Sequence, residues 1–276
     1  MKFSACNDLY EGWTIEDVFE SLKEIGYDGV EIAPCTLADS VESIPLERRV
    51  EIRRAADKLD LEIVGLHQLM VKPDGLHLCH PDPNIRNRTV SYFRSLIELC
   101  CDLGGRVMVC GADDRGNVMT GQGYEDAWDT MKESFCRVLP LAAQRGVAVC
   151  LEPQEKSKLV RTADEALKMI HEINHPSLRL DCSIRSMCAE AERNVIEIIA
   201  AGGEQVTHIH ANDANGHEPG SGDTDFRPIF KALKDIRYIE YVSVQPLKCD
   251  GDPASVASKS LNYLKACLEE VEADLT

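Results

Sequence analysis

Short β-rich apolar runs alternate with stretches of helical periodicity along the whole chain. KFSAC (2–6), GVEIA (29–33), EIVGLHQL (62–69), RVMVCGA (106–112), VAVCLEP (147–153), LRLDCS (178–183), VTHIHAND (206–213) and YVSVQP (241–246) read as strands. A helix is predicted after each one. The segment from Asn84 to Leu103 sets Ile85, Val90, Phe93, Leu96, Ile97 and Cys100 at helical spacing and runs into Gly104-Gly105, a helix stop. Thr14 is placed to cap the first helix, Thr162-Ala-Asp-Glu165 has the form of a capping box, and the last helix starts near Pro253. Eight strand–helix pairs with short connections predict an α/β protein: a closed (β/α)8 TIM barrel, residues 1–276 forming one domain. A doubly wound open sheet is the alternative, weakened because no GxGxxG follows the first strand.

Composition narrows the partners. The 276 residues carry a formal charge of −17, which argues against nucleic acid, whose phosphates call for a basic face. No run approaches the length of a membrane span, and the N-terminus lacks the apolar stretch of a secretory signal. Twelve cysteines without a CxxC are then expected to be reduced thiols of a cytoplasmic protein, mostly small core residues. Cys6, Cys110 and Cys182 lie near strand ends, where they could line a pocket.

In such a barrel chemistry collects at the C-terminal ends of the strands. Those ends offer Glu31, His67, Glu152, Asp181, His208, His210, Asp213 and Gln245. A carboxylate closing a buried apolar strand is costly unless paired or bound to a metal. Glu152 follows VAVCL and Asp181 follows LRL, with histidines on the next strand. Carboxylates and imidazole together suit Mn²⁺, Mg²⁺, Co²⁺ or Zn²⁺; an internal salt-bridge network is the other reading. His208 and His210, two apart in a strand, point to the same face.

In order and spacing, GYDGVEI (26–32), GLHQL (65–69), the helix 82–105, LEP (151–153), LD (180–181), HIHANDANG (208–216), PGSGDTDF (219–226) and YVSVQP (241–246) resemble the xylose isomerase-like barrels, the sugar phosphate isomerase/epimerase group, over essentially the whole chain. The resemblance implies a divalent ion held from strands five to eight by Glu152, Asp181 and His210, with His208 one layer deeper. The family's fourth ligand, a glutamate, falls at Gln245, which can ligate through its amide oxygen but brings no charge and cannot act as a base. Ile184, Gly216 and Lys158 stand where family epimerases often carry histidine, arginine and glutamate; Arg185, Lys158 and His217 could substitute in space.

The activity so implied is that of a sugar or cyclitol isomerase or epimerase. It would abstract a proton next to a carbonyl through a metal-stabilised enediolate, with Glu152 as the base. Loss of the second glutamate keeps open a lyase on an oxidised sugar, a dehydratase or deglycosidase subunit needing a partner, and also a non-catalytic sugar binder. A homodimer is a further expectation from the family. His67, Glu31 and Trp13 complete the expected substrate contacts, Trp13 as an apolar wall. His77 and His80 read as loop histidines, His171 and His175 carry no assigned role, and PGSGDTDF reads as a capping loop in which Asp223 or Asp225 serves the helix.

Overall fold

The computed structural model describes residues 1–111 and 116–274. Eight parallel strands close into a barrel in sequence order. They are β1 Lys2–Cys6, β2 Gly29–Ile32, β3 Glu62–Leu66, β4 Val107–Gly111, β5 Ala148–Glu152, β6 Leu178–Ser183, β7 Val206–Ala211 and β8 Tyr241–Val244. β8 pairs with β1 through Lys2↔Tyr241 to Ala5↔Val244, which closes the ring. β1 and β6 have the bounds of their apolar runs, while the other strands are shorter because those runs continue into the neighbouring loops. Ala112, the last residue expected in the fourth strand, lies outside the described residues.

The surrounding helices are α1 Ile15–Ile25, α2 Leu46–Lys58, α3 Pro83–Leu103, α4 Tyr124–Arg145, α5 Ala163–Ile173, the short α6 Ile184–Cys188, α7 Val195–Gly202, α8 Phe226–Asp235 and α9 Pro253–Ala273. Their ends follow from local chemistry. Thr14 accepts the Asp17 N–H at the start of α1. Thr162 and Glu165 form a complete capping box on α5. Asp225 caps α8 from within the PGSGDTDF loop. Gly104 ends α3 at φ 91°, a left-handed conformation that glycine adopts without strain. The inward stripes bury Phe19 and Leu22 of α1, Phe93 and Leu96 of α3, and Trp128 and Phe135 of α4. Each such burial is worth about 1.5–3 kcal/mol.

Two breaks in the strand register position the site. Between β2 and β3 the pairing passes from Val30↔Ile63 to Glu31↔Gly65, skipping Val64. Between β6 and β7 it passes from Leu180↔Val206 to Asp181↔His208, skipping Thr207. An extra residue opposite one partner re-aims the side chains at that point. Here the re-aimed residues include Glu31 and Asp181, both wholly buried. Gly65 is required at the first break: a Cβ there would lie 1.9 Å from the Val107 carbonyl oxygen.

Candidate active site

The floor of the site is a buried network of carboxylates and imidazoles. Glu31 Oε2 lies 2.9 Å from His208 Nε2 and 3.2 Å from His210 Nε2. His210 Nδ1, on the other side of its ring, lies 3.5 Å from Asp181 Oδ2. Asp181, His208 and His210 each present a ligand atom within 4.8 Å of the others. Among the described residues, both oxygens of Asp181 and the Nδ1 atoms of His208 and His210 are buried without a hydrogen-bond partner. Buried polar atoms are nearly always paired, so these donor atoms are what a cation would satisfy.

The electrostatics point the same way. Burial raises the Asp181 carboxyl to about 7; His210 pulls it down and Glu152 pushes it up. Burial also raises Glu152, opposed by His210 and by the Ser183 hydroxyl and Gln154 amide that hydrogen-bond to it. Burial would lower His210, but Asp181, Glu31 and Glu152 overcome it and hold the imidazole up at about 10. Burial likewise works against a charged Glu31, and His208 and His210 hold it well below the usual range. The pocket thus concentrates negative charge that a positive species must offset. A proton on His210 does so in part, and a divalent cation would do so more completely.

Above this floor opens a cavity of about 320 Å³. Glu152, Gln154, Ser183, Arg185, His67 and Gln245 supply its polar wall, and Met70, Val109 and Leu247 part of its apolar one. This mixture of an apolar lining with a few convergent polar groups is the usual form of a small-molecule site. Cys110 also lines it, whereas Cys6 lies below, its thiol 3.7 Å from Glu31 Oε2. The Gln245 amide nitrogen lies 3.5 Å from His67 Nδ1.

Other expected substrate contacts fall elsewhere. Glu31 is absent from the cavity wall because both histidines stand over its carboxylate. Lys158 is off the wall in a loop where its backbone N–H donates to Asn117. His217 is off the wall too, its Nδ1 3.7 Å from Asp250. Trp13 packs edge-on against Tyr10 and borders a separate cavity between the first two helices. Arg185 does line this cavity, its guanidinium 3.5 Å from Glu155. His77 and His80 stack edge-on in their loop, and Asp213 accepts the Gly222 N–H inside the turn after β7.

Three polar groups of the site were not singled out from sequence. Ser183 stands two residues after Asp181, on the same face of β6, and strand period alone could have found it. Gln154 has no such signal, since Pro153 ends the strand before it. Asp8 follows β1, and its Oδ1 lies 3.5 Å from His67 Nε2. Pairing of β1 and β3 on either side of β2 brings residues 8 and 67 together.

A family model for the xylose isomerase-like TIM barrel matches residues 19–267, and the chain belongs to that family. It is 24% identical to the 3-dehydro-D-guloside 4-epimerase of Escherichia coli strain K12, over 97% of this chain and 100% of that one. Among solved structures it resembles D-psicose 3-epimerase from Clostridium cellulolyticum H10 at a TM-score of 0.85 and 20% identity, covering 97% of this chain and 99% of that one. It resembles the 3-keto-D-glucoside 4-epimerase of E. coli at a TM-score of 0.84 and 21% identity, covering 97% and 100%. With relatives so named, the chain is an isomerase/epimerase-like enzyme of this family. No helix among the described residues is long and apolar enough to cross a membrane.

Proposed function

We propose that the protein is a divalent-metal-dependent sugar isomerase or epimerase that moves a proton on the carbon next to a substrate carbonyl, with Glu152 as the base. The observation that carries this reading is Glu152 itself. Its carboxylate is buried on the wall of the catalytic cavity, its proton affinity is raised by that burial, and Ser183 and Gln154 hold it in place. A base of raised proton affinity, beside a cluster built for a cation, is the equipment for proton abstraction α to a carbonyl.

Asp181 and His210 would hold the cation through their unpartnered oxygens and Nδ1, with Glu152 and the Gln245 amide oxygen completing the set. When bound, a divalent ion supplies the polarisation of a carbonyl and an adjacent hydroxyl oxygen that makes the intervening C–H acidic. The protein does the rest. Glu31 accepts from His210 Nε2, which leaves Nδ1 as the ligand atom and fixes the ring. Glu152 takes the proton from one face of the substrate and returns it on that face to the neighbouring carbon, which isomerises the sugar; inversion at the same carbon requires a proton delivered to the opposite face. Arg185 and His67, which line the cavity, would bind substrate hydroxyl groups.

The substrate class is a ketose, an inosose or a sugar oxidised to a ketone, in keeping with relatives named for 3-dehydro-D-guloside and D-psicose. Gln245 favours a second reading. A two-face epimerisation needs a second acid–base group opposite Glu152, and an amide cannot be one. One-base chemistry includes elimination from an oxidised sugar, so a lyase is the alternative. Incubation with such sugars in deuterated water tests both. Isomerisation or epimerisation introduces deuterium at the carbon next to the carbonyl, a lyase gives unsaturated products, and neither outcome across the panel would remove the proposal.

A further inference from the structure

A second group of ligand atoms adjoins Asp181 and His210, its His67 ring packed edge-on against that of His210 at 6.0 Å between centroids. Cys6 at the end of β1, Asp8 in the turn that follows, and His67 just past β3 each present one donor atom within 4.8 Å of the others. His67 is wholly buried, and among the described residues its Nε2 has no hydrogen-bond partner. That nitrogen points at Asp8 Oδ1, 3.5 Å away, too far for a hydrogen bond but suited to two ligands of one ion. Asp8 is held as a metal ligand usually is: its Oδ2 accepts from the Gln68 amide at 2.6 Å, leaving Oδ1 turned toward His67.

We propose that Cys6, Asp8 and His67 form a second metal site, of the thiolate–carboxylate–imidazole type that takes Zn²⁺ or Co²⁺ in preference to Mg²⁺. Thiolate with imidazole is borderline-soft and selects the later transition metals, whereas the all-oxygen-and-nitrogen set at Asp181 and His210 does not discriminate so strongly. Cys6 also lies near Glu31 and His210. That alternative trio is poorer, because Glu31 Oε2 already accepts from two histidines. Binding at the second site converts the Cys6 thiol to a metal thiolate and releases one proton to solvent. Three protein ligands leave a fourth position open, and His67 lines the catalytic cavity, so the open position adjoins the substrate space.

The test does not depend on turnover. The metal-free protein is titrated with Co²⁺ while its near-ultraviolet spectrum and bound-metal stoichiometry are followed. Asp181, His210, Glu152 and Gln245 offer no sulfur, so a thiolate-to-cobalt charge-transfer band reports Cys6, and its dependence on His67 assigns it to the second site rather than to the Glu31–His210 trio. The expected result is two equivalents of metal and such a band in the native protein. C6S should lose the band and one equivalent, and H67Q, made in case C6S disturbs folding, should lose both as well. A single equivalent without a thiolate band overturns the site, as does a band that persists in C6S. In either case the first equivalent, and the reading built on Glu152, would still stand.

Discussion

His210 is fastened to Glu31 at the floor of the cavity, its Nε2 3.2 Å from Oε2, so that the opposite ring nitrogen faces Asp181. Glu31 holds His208 in the same way at 2.9 Å. One buried carboxylate from β2 therefore sets the ring orientation of two histidines from β7. A metal ligand's outer partner of this kind fixes its tautomer and raises its basicity.

Replacing Glu31 by Gln should therefore weaken cation binding about 10–100-fold while leaving every proposed ligand in place. Calorimetric titration of the metal-free variant measures it. The same change removes one partner of a buried charged network, and a stability loss of about 3–5 kcal/mol is expected in urea denaturation. Native-like affinity in E31Q would show that the histidines orient themselves without it.

Glu152→Gln keeps the shape of the wall and removes the base. Proton exchange into substrate should fall by about 100-fold or more, the usual contribution of a positioned base. Deuterium uptake followed by NMR gives the number, and uptake at the native rate would assign the proton transfer to another group.

Gln245→Glu puts a carboxylate on the eighth strand, where the amide now faces His67. Two acid–base groups would then face the cavity. The expected outcome is tighter cation binding and the appearance, or increase, of the inverted epimer among the products. An unchanged product ratio would mean that residue 245 does not reach the reacting carbon.

Removal of metal should cost stability even without substrate, because the unpartnered oxygens of Asp181 lose the ion that satisfies them. At a cation concentration one hundred times Kd the linkage contribution is about 2.7 kcal/mol, or roughly 5 °C in Tm for a chain of this length. Thermal melts with and without chelator read this directly, and superimposable curves would argue that no cation binds the folded state.

Gly65→Ala tests the first register break. The added Cβ would meet the Val107 carbonyl oxygen at 1.9 Å, and that atom is backbone and cannot swing aside. A loss of about 3 kcal/mol or more is expected, since β3 must leave β4 or β2 to relieve the clash. A melt within a degree of the native protein would show that the strands reseat freely.

The amino-acid order alone determined the architecture, because strand and helix periods are local properties. Alternating apolar runs, Thr14, the Thr162–Glu165 box and Gly104 are each legible within a few residues. It also placed Glu152, Asp181 and His210 at strand ends, since a carboxylate or imidazole closing an apolar strand is conspicuous. Tertiary structure decided depth and direction. Whether Glu31 meets a substrate or two histidines depends on the skipped Val64, and the alignment of Asp181 with His208 on the skipped Thr207. Side-chain period says which face a residue occupies but not at what height around a tilted, closed barrel. For the same reason Trp13, Lys158 and His217 lie off the cavity while Asp8, Gln154 and Ser183 join the site. These placements depend on long-range strand pairing and the curvature of the closed barrel, which bring residues 8 and 67, or 31 and 208, to within hydrogen-bonding or ligand-sharing distance.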